Sequence, residues 1–294
     1  MSSENTQHEK YYVPDSSIWP LVGAVALGLI AYGAAHYVIE WSNQEAGFGH
    51  WVLLAGIVVL IVMLVGWFRD QIRESQQGLY SAQMSRSYRQ GMSWFIFSEV
   101  MFFLAFFGAL FYARMIAVPW LGGASNNVMT GEVLWPAFEA IWPLTTTPDG
   151  RETTAMGWGL PLMNTLILVA SSITLHFAHH GLEHDKRGAL KAWLGVTILL
   201  GLIFLGFQMY EYVHAYRDLG LTLQSGIYGN TFFLLTGFHG MHVTLGAIML
   251  IVMFIRVAKG HFSKDNQFAF EASVWYWHFV DVVWILLFFF VYIV

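Results

Sequence analysis

Glu99 stands inside the run Trp94-Phe-Ile-Phe-Ser-Glu-Val-Met-Phe-Phe-Leu-Ala-Phe-Phe-Gly-Ala-Leu-Phe-Tyr112, a carboxylate with lipid-like sequence on both sides. A charge at the centre of a membrane span costs about 2.5–3.5 kcal/mol on insertion scales. Such a group must face a protein interior, find a partner or stay protonated. Two roles are open to it by chemistry: a structural hydrogen bond between helices, or a place in proton movement. The expectation is a buried, mostly protonated carboxyl group.

The histidines raise a second chemistry. They occur as His176-Phe-Ala-His179-His180, His239-Gly-Met-His242 and His278-Phe-Val-Asp281. Spacings of three and four place such pairs on one helical face, as a metal or haem ligand set requires. A bis-histidine haem also needs ligands at matching depth on facing helices. At 1.5 Å per residue, His242 falls near mid-membrane, while His176, His179, His180 and His278 fall toward one end. The fourth and sixth spans therefore match poorly, and the fourth and seventh match better. The plainer reading is hydrogen bonding between helices or to lipid headgroups. By the same arithmetic Glu99 lies about 12 Å from the near end of its span. His278 and Asp281 share that depth, and His239 and His242 lie somewhat deeper, so a partner is available.

These residues need membrane-spanning helices to position them. Of the 294 residues, 56% are hydrophobic and 11% charged, too little charge for a soluble surface of this size. The class is a polytopic, all-α membrane protein. Seven stretches approach the roughly 20 residues a span requires: 18–39, 51–68, 91–115, 160–180, 192–213, 231–255 and 274–294. The second is short and open to extension into its flanks. Around these spans the chain divides into a tail (1–17), the first two spans (18–68), a linker (69–90) and the last five spans (91–294) with a long loop at 118–157. Trp120, Trp135 and Trp142 suit that loop to a position along the headgroup layer. No cysteine is present, which removes disulfides, iron–sulfur ligation and copper sites built on thiolate.

Lysine and arginine set the orientation. Arg69, Arg73, Arg86 and Arg89 follow the second span, Lys186, Arg187 and Lys191 the fourth, and Arg256, Lys259 and Lys264 the sixth, with Lys10 in the tail. The opposite side carries only Arg114, Arg151 and Arg217. The positive-inside bias puts the N-terminus and the 69–90 linker in the cytoplasm and the 118–157 loop and C-terminus outside. Basic pockets at that inner side bind anionic headgroups, and Arg73 and Arg256 with Trp67 have the right chemistry.

Taken together, the segments resemble cytochrome c oxidase subunit III. The residues that carry the likeness are Trp67-Phe-Arg-Asp-Gln-Ile-Arg-Glu74, Phe97-Ser-Glu-Val-Met-Phe-Phe103, Leu160-Pro-Leu-Met-Asn-Thr165, His176-Phe-Ala-His-His-Gly-Leu182, Tyr228-Gly-Asn-Thr-Phe-Phe233, Thr236-Gly-Phe-His-Gly-Met-His-Val243 and Phe270-Glu-Ala-Ser-Val-Trp-Tyr-Trp-His-Phe-Val-Asp-Val-Val-Trp284. The resemblance implies seven transmembrane helices, with helices I–II separated from III–VII by a lipid-filled V-shaped cleft. It implies a chain without catalytic residues, haem or metal of its own. Haem a, haem a3 and copper would sit in partner subunits I and II, and cytochrome c would meet the complex through subunit II. Glu99 matches the family's buried glutamate near the proton-uptake region. Arg73 and Arg256 match arginines that contact lipid phosphate, and Trp67, Tyr80, Glu99 and His242 carry over to the same phospholipid sites.

The implied role is a non-redox subunit that stabilises subunit I, binds phospholipid and supports proton uptake while the complex reduces O2 with electrons from cytochrome c. No nucleic-acid partner is implied. The N-terminus lacks a cleavable signal pattern and an Arg-rich transit pattern, so the expected setting is a bacterial inner membrane. The alternatives are a quinol oxidase subunit III, which typically has five spans, and a transporter, which would need a polar path through the chain.

Overall fold

The computed structural model describes residues 12–13, 16–262 and 267–294. Most of the expected tail, with Lys10, and also Lys264 lie outside the described residues. The architecture is all-helical. Seven helices are long and apolar enough to cross a membrane among the described residues. They are α1 (Trp19–Asn43), α2 (Gly49–Gln76), α3 (Ala82–Tyr112), α5 (Gly159–Glu183), α6 (Arg187–Arg217), α7 (Ile227–Ala258) and α8 (Phe268–Leu287). The third continues through a π-helical stretch, Ala113–Ala117, into the single turn α4 (Val118–Leu121).

The helices overrun the sequence-based spans, because the apolar pattern marks only the part suited to hydrocarbon. The second span grows from 51–68 to Gly49–Gln76. The segment 69–90 is mostly helix, since α2 carries on to Gln76 and α3 starts at Ala82. Only 77–81 is irregular connection.

The chain divides into two units, Met1–Tyr88 and Arg89–Val294. In the first, α1 and α2 form an antiparallel hairpin. A Cβ on Gly33 would come within 2.3 Å of the Leu53 backbone nitrogen, so only glycine lets the two backbones lie this close. Both ends of the hairpin are tied. Gly49 N–H donates to the Glu40 carboxylate (3.0 Å) at the α1–α2 connection. At the other end Trp19 Nε1–H donates to Asp70 Oδ2 (2.7 Å).

In the second unit α5, α6, α7 and α8 share one buried apolar cluster. Leu168, Leu175 and Leu182 repeat every seven residues along α5, and Leu190 and Leu194 answer from α6. The most enclosed helix is α8, whose Trp277 and Trp284 are fully buried. Each indole finds an acceptor on α5: Trp277 Nε1–H donates to Ser171 Oγ (3.0 Å) and Trp284 Nε1–H to Thr165 Oγ1 (2.9 Å). Trp277 fits because Gly201 of α6 leaves room, a Cβ there falling 2.6 Å from its ring.

The 118–157 loop packs in part against the α6–α7 end of the bundle. Trp142 turns back onto the bundle, its ring 5.7 Å from Tyr228 and at right angles to it. Leu144 is buried, Met156 N–H donates to the Tyr228 hydroxyl (3.2 Å), and Thr154 N–H donates to Leu219 O (3.1 Å). The loop has its own backbone donors to satisfy, and the α6–α7 end supplies acceptors. Trp120 remains exposed, as an interfacial anchor would.

The α1–α2 contact gives a direct test. Gly33→Leu should destabilise the hairpin by at least about 1–3 kcal/mol through overpacking. Gly28→Leu lies on the same helix with open space at its Cβ position and should stay within about 0.5 kcal/mol of wild type. Thermal unfolding of the detergent-purified chain, with protease cleavage at 44–48 as a local probe, separates the two; equal losses would refute the close crossing.

Candidate functional site

Residues Glu99, Phe102, Phe103, Phe106 and Leu110 share one face of α3 by their spacing of three and four. That face meets α7 through aromatic rings. Phe102 is edge-on to Phe238 at 5.0 Å, Phe106 lies 5.0 Å from the same ring, and Phe103 stands 4.9 Å from His242. Inside this apolar frame Glu99 Oε2 is 2.8 Å from His242 Nε2. The His242 side chain is 5% exposed and that of Glu99 22%. Glu99 is thus a partly covered carboxyl at the edge of the bundle, and its imidazole partner is the buried member. Tyr276 of α8 lies nearly parallel to the His242 ring, 6.5 Å away.

The proton count follows from hydrogen-bond chemistry. His242 Nδ1 lies 2.6 Å from the Phe238 backbone carbonyl, which can only accept. Nδ1 therefore carries a hydrogen. At 2.8 Å, Nε2 and Oε2 cannot both present lone pairs, so one proton lies between them. The pair is either a neutral acid with a neutral imidazole or a carboxylate with an imidazolium, and each has zero net charge. Single-proton neutrality is what lets a carboxylate sit at this depth.

The other polar residues in the spans pair elsewhere. Ser172 of α5 lies 2.7 Å from His278 Nδ1 and donates its hydroxyl proton to Asp281 Oδ2. Serine is the hub here, with histidine and aspartate both bonded to it, and His278 Nδ1 is 3.9 Å from Asp281. Nucleophilic catalysis needs the imidazole between hydroxyl and carboxylate, so this arrangement is a tie between α5 and α8. His239 Nε2–H donates to Val280 O (3.1 Å), joining α7 to α8.

Of the six residues assigned to lipid sites, the structure brings Glu99 and His242 together. Arg256, also on α7, lies fourteen residues beyond His242, about 21 Å along the helix. It is 6% exposed, its guanidinium sits 4.4 Å over the Phe262 ring, and its Nε has no hydrogen-bond partner among the described residues. Trp67, Arg73 and Tyr80 belong to the first unit. Trp67 is exposed and stacks on Phe68. Arg73 is exposed at the end of α2, 4.0 Å from Asp70. The Tyr80 hydroxyl faces Glu74 Oε2 at 2.9 Å; burial, then the Glu74 carboxylate, push this phenol well above its ordinary pKa.

Two buried acids escaped the sequence reading. Glu211 on α6 is fully buried beside Tyr292, and neither carboxylate oxygen makes a well-aligned hydrogen bond among the described residues. It lies near the end of the 192–213 span and drew no reading there; α6 runs on past it to Arg217. Glu271 forms an ion pair with Arg89, linking α8 to α3, and the Arg89 guanidinium also lies 5.6 Å from the Phe268 ring centre. Both partners fall outside the sequence-drawn spans and meet only because α3 and α8 begin earlier.

A graded series tests the Glu99–His242 pair. Glu99→Gln keeps an N–H donor facing His242 Nε2 and should cost about 1 kcal/mol, while Glu99→Leu leaves that nitrogen unpaired and should cost about 1–3 kcal/mol. Thermal unfolding ranks them; equal destabilisation would mean that the hydrogen bond contributes nothing.

Residues 8–294 match the family model for cytochrome c oxidase subunit III. The chain is 39% identical over 283 residues to cytochrome c oxidase subunit 3 of Danio rerio, covering 96% of each chain. It is 40% identical over 283 residues to the protein of the same name from Latimeria chalumnae, again over 96% of each. With seven apolar helices in place along the matched length, the chain belongs to the cytochrome c oxidase subunit III family, a multi-pass membrane component of a multi-subunit oxidase complex.

Proposed function

We propose that this chain is the non-redox subunit III of a proton-pumping cytochrome c oxidase. It stabilises subunit I, holds structural phospholipid and supports proton uptake while the partner subunits carry haem a, haem a3 and copper and reduce O2. Membership of the family over nearly the whole chain is the observation that carries this reading. The use of the intramembrane histidines supports it as well, because His239, His242 and His278 are engaged in bonds between or within helices.

The orientation in this reading has the N-terminus and the α2–α3, α5–α6 and α7–α8 connections on one side. In a bacterial inner membrane, the expected setting, the positive-inside rule makes that side the cytoplasm and the side of 118–157 the periplasm. The phospholipid sites draw on Arg256, whose Nε has no partner among the described residues in a low-exposure setting, and on the exposed Arg73 and Trp67 at the end of α2. A phosphate oxygen satisfies such a guanidinium. Tyr80, Glu99 and His242 complete the proposed set. In the proton-uptake role, Glu99 contributes the shared proton it holds with His242.

Affinity purification from native membranes in mild detergent tests the assignment. The expected result is co-purification of oxidase subunits I and II with haem a absorbance, and no Soret band from the chain stripped of partners. A Soret band from the stripped chain would overturn the non-redox reading. In the same preparations the Arg73→Ala/Arg256→Ala double variant should lose bound phospholipid by mass spectrometry. Retention at the wild-type level would remove the two arginines from the lipid sites.

A further inference from the structure

At the C-terminal end of α5, His180, Glu183 and His184 bring one ligand atom each to a common point, the three atoms lying within 4.8 Å of one another. Positions i, i+3 and i+4 share one helical face. The two imidazole rings are 4.0 Å apart between centroids, and all three side chains are exposed. Sequence spacing drew attention to His176, His179 and His180 instead; the structure keeps His180 and replaces the other two with residues beyond the apolar span.

The orientation of His184 is chemically specific. Its Nδ1 lies 3.0 Å from the His180 backbone carbonyl. A carbonyl only accepts, so Nδ1 carries the hydrogen and Nε2 presents a lone pair. Metal-ligating histidines are held in this way, with the second ring nitrogen donating to a carbonyl or carboxylate. The turn beneath the site is fixed. Asp185 takes a left-handed conformation (φ 56°), and Lys186 N–H donates to Gly181 O at 2.8 Å. The nearby guanidinium of Arg187 is committed to Asp185 (2.9 Å) and to Phe262 O (2.7 Å). The carbonyl-rich end of a helix also favours a cation.

We infer that His180, Glu183 and His184 form a surface site for a divalent transition-metal ion of the zinc class, with the fourth coordination position left to water. Two imidazole nitrogens and one carboxylate oxygen are the donor set of zinc or copper(II) rather than of magnesium or calcium, which take oxygen ligands. Binding draws Glu183 away from His179, whose Nε2 lies 3.9 Å from Glu183 Oε1.

The probes are Zn2+ and Cu2+ with the detergent-purified full chain. Cu2+ should give an electron paramagnetic resonance spectrum with coupling to two imidazole nitrogens, and Zn2+ should displace it. His180→Ala and His184→Ala should each weaken Zn2+ binding at least about tenfold by calorimetry, Glu183→Gln by less, and His214→Ala, an exposed histidine at the far end of α6, not at all. Unchanged affinity in the His180→Ala/His184→Ala double variant, or coupling to a single nitrogen in wild type, would overturn the site. If a variant loses its helical circular dichroism, protection of wild-type His180 and His184 from diethylpyrocarbonate by Zn2+, read by mass spectrometry, decides instead; absence of protection refutes the proposal.

Discussion

Inside a bilayer no water is available to satisfy a polar side chain, so each one must find its partner on another helix or on its own backbone. That constraint orders the second unit. Apolar faces pack against one another or against lipid with little preference, whereas a serine, a tryptophan N–H or a histidine accepts only a complementary group at the right height. Trp277 and Trp284 tie α8 to α5, Gln208 and Tyr212 of α6 both reach Thr236 of α7, and Glu99 joins α3 to His242. The neighbours of α8 are thus specified by chemistry, and its thirteen buried residues follow from that central place.

Neutrality is the second theme. The acids within the second unit are handled in different ways: Glu99 shares a proton with an imidazole, Asp281 accepts from a serine hydroxyl, and Glu271 pairs with an arginine. Glu211 is the exception, enclosed without a well-aligned bond. These groups are spread along different helices and reach different partners. They brace the bundle by joining one helix to another.

Seven spans were readable from composition, because hydrocarbon thickness imposes a length on each apolar run. The need of Glu99 for a partner was readable for the same reason. Its partner was not. Depth arithmetic placed His278 and Asp281 level with it, yet depth says nothing of direction around the helix axis, and both turn toward Ser172. Helix ends were also hidden, since hydropathy falls where headgroups begin while the backbone stays helical. Arg89, Glu271 and His184 all lie in that blind zone. Trp142 was legible by type as an interfacial residue, but its contact with Tyr228 was not.

The hairpin of α1 and α2 is fastened at its loop by Glu40 on Gly49 and at its open end by Trp19 on Asp70, with Gly33 closing the middle. Every one of these fastenings is made between residues of the hairpin itself. Its two spans can consequently leave the ribosome, enter the translocon and settle in the membrane as a finished pair before synthesis reaches α5. A chain severed near Tyr88 would then present biogenesis with two separately insertable fragments rather than one broken fold.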